Sequence, residues 1–224
     1  MRTATPGESV RVEVSRRDAL GLAAAVVALG LPGVARAAES PLVPTPRNAL
    51  GPFYPDIKPI DSDADLTRVA GQAARAQGTL LHVSGRVLDL RGTPVPKAAI
   101  EVWQANAFGR YTHPRDGDGS GPLDPGFQGY GRMVSAADGS YRFVTIKPPP
   151  YSGRTPHIHF IVASPRTRLT TQMFFEGEPL NERDFLYRNL DAGERDAATG
   201  RYIDRAVATQ PPSLAMTWDV VLAG

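Results

Sequence analysis

Cysteine is missing from all 224 residues, so the chain has no disulfide framework and no thiolate-built zinc site. Any metal it holds must sit on nitrogen and oxygen ligands. A membrane-spanning run is missing too, because the apolar stretch from residue 19 to residue 31 falls short of the roughly 20 residues that a bilayer-crossing helix needs. Nor is there a marked surplus of one charge. Against 23 acidic residues stand 25 basic ones, and no basic stripe interleaved with aromatics marks a nucleic-acid partner.

The short apolar run belongs to an address. Ser15-Arg16-Arg17-Asp18-Ala19-Leu20 is a twin-arginine pattern and Ala35-Arg36-Ala37 a small-x-small cleavage site. Residues 1–37 are therefore expected to be a twin-arginine signal peptide. The mature protein would be exported, periplasmic or extracellular, with no membrane contact once the leader is removed. The leader would take five of the 25 basic residues and three of the 23 acidic ones, leaving 20 of each and a neutral mature chain.

What the chain has in quantity is turn formers: 21 prolines and 22 glycines argue against a helical bundle. Strand-like alternation or β-branched runs cover residues 81–90, 99–103, 140–146, 157–163, 171–175 and 215–222. The expected fold is all-β, an immunoglobulin- or transthyretin-like β-sandwich with long functional loops over residues 79–224. An N-terminal arm, residues 38–78, precedes it. Within the arm, residues 41–46 read as an extended linker, Gly51-Pro52-Phe53-Tyr54-Pro55 as a rigid aromatic turn, and residues 64–77 as weakly helical or irregular. Residues 106–131 form a long polar loop that carries Tyr111 and His113. Its Asp116-Gly117-Asp118-Gly119 run lacks the spacing and terminal Glu of a calcium-binding EF-hand.

The stretch that organises the chain is Pro150-Tyr151-Ser152-Gly153-Arg154-Thr155-Pro156-His157-Ile158-His159. On a strand, the two-residue period puts His157 and His159 on one face with Ile158 expected to point outward. Pro148-Pro149-Pro150 cannot enter a sheet interior, so residues 151–154 should form a rigid loop whose phenol and guanidinium overhang the imidazoles. The residues alone leave two readings open, a metal-binding pair or two hydrogen-bonded core histidines. A copper or zinc hydrolase site would need a third ligand, for which His113 is the natural candidate.

Several motifs in order decide between them by resemblance. Ala99-Ile-Glu-Val-Trp-Gln-Ala-Asn-Ala-Phe-Gly-Arg-Tyr111, Asp138-Gly-Ser-Tyr-Arg-Phe-Val-Thr-Ile-Lys-Pro148, Pro150-Tyr151, Arg154-Thr-Pro-His157-Ile-His159-Phe160 and Thr171-Gln-Met-Phe-Phe-Glu-Gly177 resemble the intradiol ring-cleavage dioxygenases. Gly51-Pro52-Phe53-Tyr54 resembles the family's upstream motif. The resemblance implies a non-haem Fe(III) cofactor held by Tyr111, Tyr151, His157 and His159. Phenolate is a hard anionic ligand that favours ferric iron. It further implies a catechol-type diol and O2 as substrates and a muconate-type diacid as product. Tyr151 would leave the metal to take a substrate proton, Arg154 would stabilise negative charge on the ring, and Gln172 would orient Arg154 or substrate. Phe53 and Tyr54 become pocket candidates. The short Tyr151-to-His157 spacing is similar to exported relatives, and relatives assemble as heteromers or homodimers, so a homo-oligomer is admitted. Val83-Ser84-Gly85-Arg86-Val87 with Gly92-Thr93-Pro94 also resembles non-catalytic transthyretin or carboxypeptidase-regulatory modules, which lack the Tyr/Tyr/His/His set.

Overall fold

The computed structural model describes residues 41–117, 121–207 and 213–224; the expected leader lies outside them. Nine strands run in the order β1 (Leu80–Asp89), β2 (Ala99–Trp103), β3 (Tyr130–Val134), β4 (Ser140–Ile146), β5 (His157–Ala163), β6 (Arg168–Phe175), β7 (Thr199–Val207), β8 (Ser213–Thr217) and β9 (Val220–Leu222). A 3-10 turn, Pro179–Arg183, and two short helices, α1 (Phe185–Arg188) and α2 (Ala192–Ala197), fill the β6–β7 connection. One layer is β3-β2-β5-β6 and the other β7-β8-β1-β4, with a parallel β6–β7 contact joining them and β9 paired to β1. This is the expected β-sandwich.

The core lies between the layers. Phe160 of β5 meets Phe143 of β4 at 5.8 Å and Trp218 at 4.8 Å, ring centre to ring centre. Ile158 belongs to this same core and is fully buried, which corrects the expectation that it points outward. Both faces of β5 are covered. The sandwich interior takes Ile158, Phe160 and Val162, while loops roof the face that carries His157, His159 and Ile161.

The roof includes the arm. Leu42 N–H donates to the Leu90 carbonyl, Thr45 N–H to Val221 and Asn48 N–H to Thr170, so residues 42–48 cross from the β1/β9 side to β6. Farther on, Leu66 is fully buried in the core and Asp65 bridges Val144 of β4. Residues 64–77 hold bends and turns rather than helix. Backbone pairing, not periodicity, fixes this segment, so its hydrophobic pattern carried no signal.

Candidate metal centre

Strand register assembles the site floor. On the roofed face, His159 of β5 lies opposite Trp103 of β2 and Gln172 of β6. The Trp103 indole stacks on the His159 ring, 4.8 Å between centres and 12° between planes. That stacking fixes the imidazole plane. Gly51, at φ 77°, brings the arm so close that an added Cβ would lie 3.0 Å from His159 Cε1.

The overhanging groups come from a tight turn. Tyr151 and Arg154 exchange both backbone hydrogen bonds, 3.2 and 2.8 Å, around Ser152 (φ 46°) and Gly153 (φ 76°). Positive φ at both central residues is the pattern of a primed hairpin turn, which Gly at the second position favours. The two side chains are thereby set beside each other over β5. Tyr111 arrives from the long loop, where its backbone N–H is held by Asp116 at 2.6 Å. Its ring packs on Phe53 at 4.9 Å.

Four polar atoms converge. Tyr111 Oη to Tyr151 Oη is 2.9 Å, Tyr151 Oη to His157 Nε2 3.1 Å, His157 Nε2 to His159 Nε2 3.2 Å, and His159 Nε2 back to Tyr111 Oη 3.1 Å. His157 Nδ1–H donates to the Thr155 carbonyl at 2.6 Å, so its Nε2 presents a lone pair to the centre. The buried His159 Nδ1 has no partner. Two phenol protons and at most one imidazole proton serve at most three of the four edges of the ring, so one edge always sets two lone pairs face to face. A cation at the centre meets all four donors at once. Donors about 2.0–2.1 Å from a first-row ion, at right to tetrahedral angles, lie roughly 2.8–3.4 Å apart, which is the spacing here. Among the described residues no three His, Cys, Asp or Glu side chains are placed to hold a metal ion together, so an ion at this centre would use the phenols. His113 does not join: its Nδ1 accepts from Arg115 N–H, and its Nε2 lies 3.4 Å from Asp56.

Charge at the centre is controlled by burial. Desolvation pushes the Tyr111 phenol well above its usual range, and Tyr151 adds to the effect. Desolvation raises Tyr151 as well, against the lowering pull of the Tyr111 hydrogen bond and Arg154. Both phenols are thus protonated unless a positive ion enters between them. Desolvation, aided by Arg154, pulls His157 down to about 4, and desolvation with the His157 charge takes His159 well below the ordinary value. Both rings are neutral and ready to coordinate. The sign of the stability effect follows: the unfolded chain, with histidines near 6.5, binds more protons than the folded one between about pH 6.5 and 4. Without bound metal, stability should be full above that window and fall as pH drops through it. Urea midpoints at about pH 7 and pH 4.5 should show this loss, flattened by His157→Gln.

Around the centre, Arg154 Nε donates to Asp184 at 2.7 Å and its Nη2 to Gln172 Oε1 at 2.6 Å, while Gln172 Nε2 donates to the Ala49 carbonyl. Tyr54 and Tyr130 both donate to Glu101 at 2.7 Å, with the Lys58 ammonium 3.3 Å over the Tyr54 ring. Desolvation pushes Glu101 up, but the two phenol bonds and Lys58 outweigh it and hold it ionised. Tyr54 also meets Trp103 edge-on at 4.9 Å, so it braces the His159 platform from behind. Glu101, Asp184 and Trp103 carry this support, and the sequence reading gave none of them a role. Asp184 had a readable local signal, an acidic residue before a short helix.

The chain's likeness to known proteins agrees with this centre. The family model described as Dioxygenase matches residues 50–224. The protocatechuate 3,4-dioxygenase beta chain of Burkholderia cepacia is 38% identical over 205 residues, 85% of this chain and 86% of that one. A hydroxyquinol 1,2-dioxygenase of Nocardioides simplex is 34% identical over 66% of this chain but only 53% of its own length. Among solved structures, the dioxygenase domain of a dioxygenase and carbohydrate-binding fusion from the cellulolytic bacterium Streptomyces sp. SirexAA-E superposes with a TM-score of 0.62 at 31% identity, covering 81% of this chain and 99% of that domain. An intradiol ring-cleavage dioxygenase from Tetranychus urticae, at 19% identity and TM-score 0.63, covers 81% of this chain and 95% of its own and shares the fold. The non-catalytic module reading gives way to these matches, and the chain belongs to the intradiol ring-cleavage dioxygenases, non-haem iron enzymes that act on catechol-type diols.

Proposed function

We propose that this chain holds one ferric ion through Tyr111, Tyr151, His157 and His159 and cleaves an aromatic ortho-diol with O2 between the two hydroxyl-bearing carbons, giving a muconate-type diacid. The closed ring of two phenols and two neutral imidazoles carries the reading. When bound, the ion supplies a Lewis acid that takes up the diol oxygens and prepares the ring for O2. The chain's own residues do the rest. Tyr151 is the more accessible phenol and sits on a two-residue turn, which suits it to swing aside and take a substrate proton at Oη. Tyr111, 2% exposed and packed against the tilted Phe53 ring, suits permanent ligation. Arg154 brings a fixed positive charge to the ring edge, and Gln172 anchors it.

Protocatechuate and hydroxyquinol, which name two relatives, and catechol are the diols to try first. Among the described residues no helix is long and apolar enough to cross a membrane, and the Arg16-Arg17 leader pattern supports export by the twin-arginine route. The mass of the mature protein recovered outside the cytoplasm checks that step.

The function itself is tested by the visible spectrum of the iron-supplied protein under nitrogen, with and without catechol or protocatechuate. The expected result is a broad tyrosinate band that moves to longer wavelength with the diol. A colourless protein at full metal occupancy would overturn the assignment.

A further inference from the structure

We propose that Asp184 is the positioning residue of this centre, acting through Arg154 and Thr155; the inference rests on the ferric dioxygenase reading above. Asp184 is 0% exposed and holds its charge in the interior. Such burial is costly unless every acceptor site is used. Here it is. Oδ2 accepts from Arg154 Nε at 2.7 Å and from Thr155 N–H at 3.0 Å, and Oδ1 accepts from Leu186 N–H at 2.9 Å and Tyr187 N–H at 3.3 Å.

Two consequences meet at the metal centre. First, the guanidinium is gripped along two edges, Nε by Asp184 and Nη2 by Gln172, with the Phe185 ring 5.4 Å from its central carbon. No protein acceptor meets Nη1 among the described residues, so that edge keeps a donor for the reaction. A preset donor stabilises developing charge without reorganisation at the moment of reaction. Second, the Thr155 amide held by Asp184 belongs to the residue whose carbonyl takes the His157 Nδ1 proton. One carboxylate therefore fixes the orientation of the charge and the backbone that sets the His157 tautomer.

A purely structural account would make Asp184 only the N-cap of α1, and a mutant cycle separates the two roles. Asp184→Ser retains a short capping acceptor for α1 but cannot reach Arg154. Asp184→Asn serves as the second variant should the serine protein not fold. Either is combined with Arg154→Ala, and kcat, KM, the resting band and the anaerobic diol shift are measured on iron-loaded protein. We expect the Asp184 variant to lose about 10²-fold in kcat with KM within about threefold, the resting band kept but displaced through the Thr155–His157 route, and the double variant slower than Arg154→Ala by much less than the Asp184 variant's own loss. Fully multiplying effects in the double variant, an unaffected kcat, or a resting band identical to that of the wild type would each overturn the proposal. A colourless wild-type protein at full metal occupancy would instead overturn the ferric reading, and is seen before any variant is made.

Discussion

Tyr151→Phe should lower kcat by about 10³-fold while the protein keeps its iron, whereas Tyr111→Phe should lose both iron and colour. The difference follows from where each phenol sits. Tyr151 is partly accessible, and its hydroxyl touches Tyr111 at 2.9 Å and His157 at 3.1 Å, so its removal leaves three donors together and deletes the group proposed above to take the substrate proton. Tyr111 is buried, wedged between Phe53 and the His159 edge, and its removal leaves an apolar ring where an ion needs an anion. Iron content, the visible band and turnover, measured on both variants, check the pair. Full colour in Tyr111→Phe would exclude this ligand set.

The largest stability loss from a single methyl group is expected at Gly85, on the other layer. A Cβ there would overlap the Trp218 carbonyl and approach Tyr141 Oη to 3.0 Å. That carbonyl accepts the Tyr141 hydroxyl at 2.7 Å, and Trp218 N–H donates to Ser84 at 2.9 Å, so the backbone has no room to retreat without breaking both bonds. The Trp218 indole is also a core ring, 4.8 Å from Phe160. Gly85→Ala should therefore cost about 3 kcal/mol, seen by calorimetry as a melting point lower by about 6–12 °C. The folded fraction should keep its activity, because Gly85 pairs within the β1–β4 layer away from the centre.

What was legible in the sequence was whatever a period or a motif encodes. Alternation located β1, β2, β4 and β5 closely, because each has one face in the sandwich core. It missed β3, where Gly131 interrupts a short strand at the end of a long loop, and β7, whose residues are mostly polar. Residues 215–222 read as one strand, but Trp218-Asp219 splits them into β8 and β9. Ile158 misled for a simple reason: alternation says which residues share a face, not whether loops will roof the other one. The four converging donors were visible as motifs, and the proline run before Tyr151 announced the loop that carries it. Their supports were not, since Asp184 and Glu101 act through single contacts that no spacing encodes.

Thr45 cannot meet its partner until Val221, 176 residues later, has been synthesised. The first strand, β1, likewise waits for β8 and β9, the last to be made, which lie parallel against it. A nascent chain therefore leaves the ribosome with its opening strand unpaired on one side and its arm unlaced. Closure of the sandwich must be post-translational and, with partners so distant, slow. Gly51 lies on the same segment, just past the Asn48–Thr170 contact, so the wall over His159 waits for β6, and its further anchor at Thr45 waits for β9. During that interval the imidazole pair stands open to solvent, which is when an ion has the least obstructed way in.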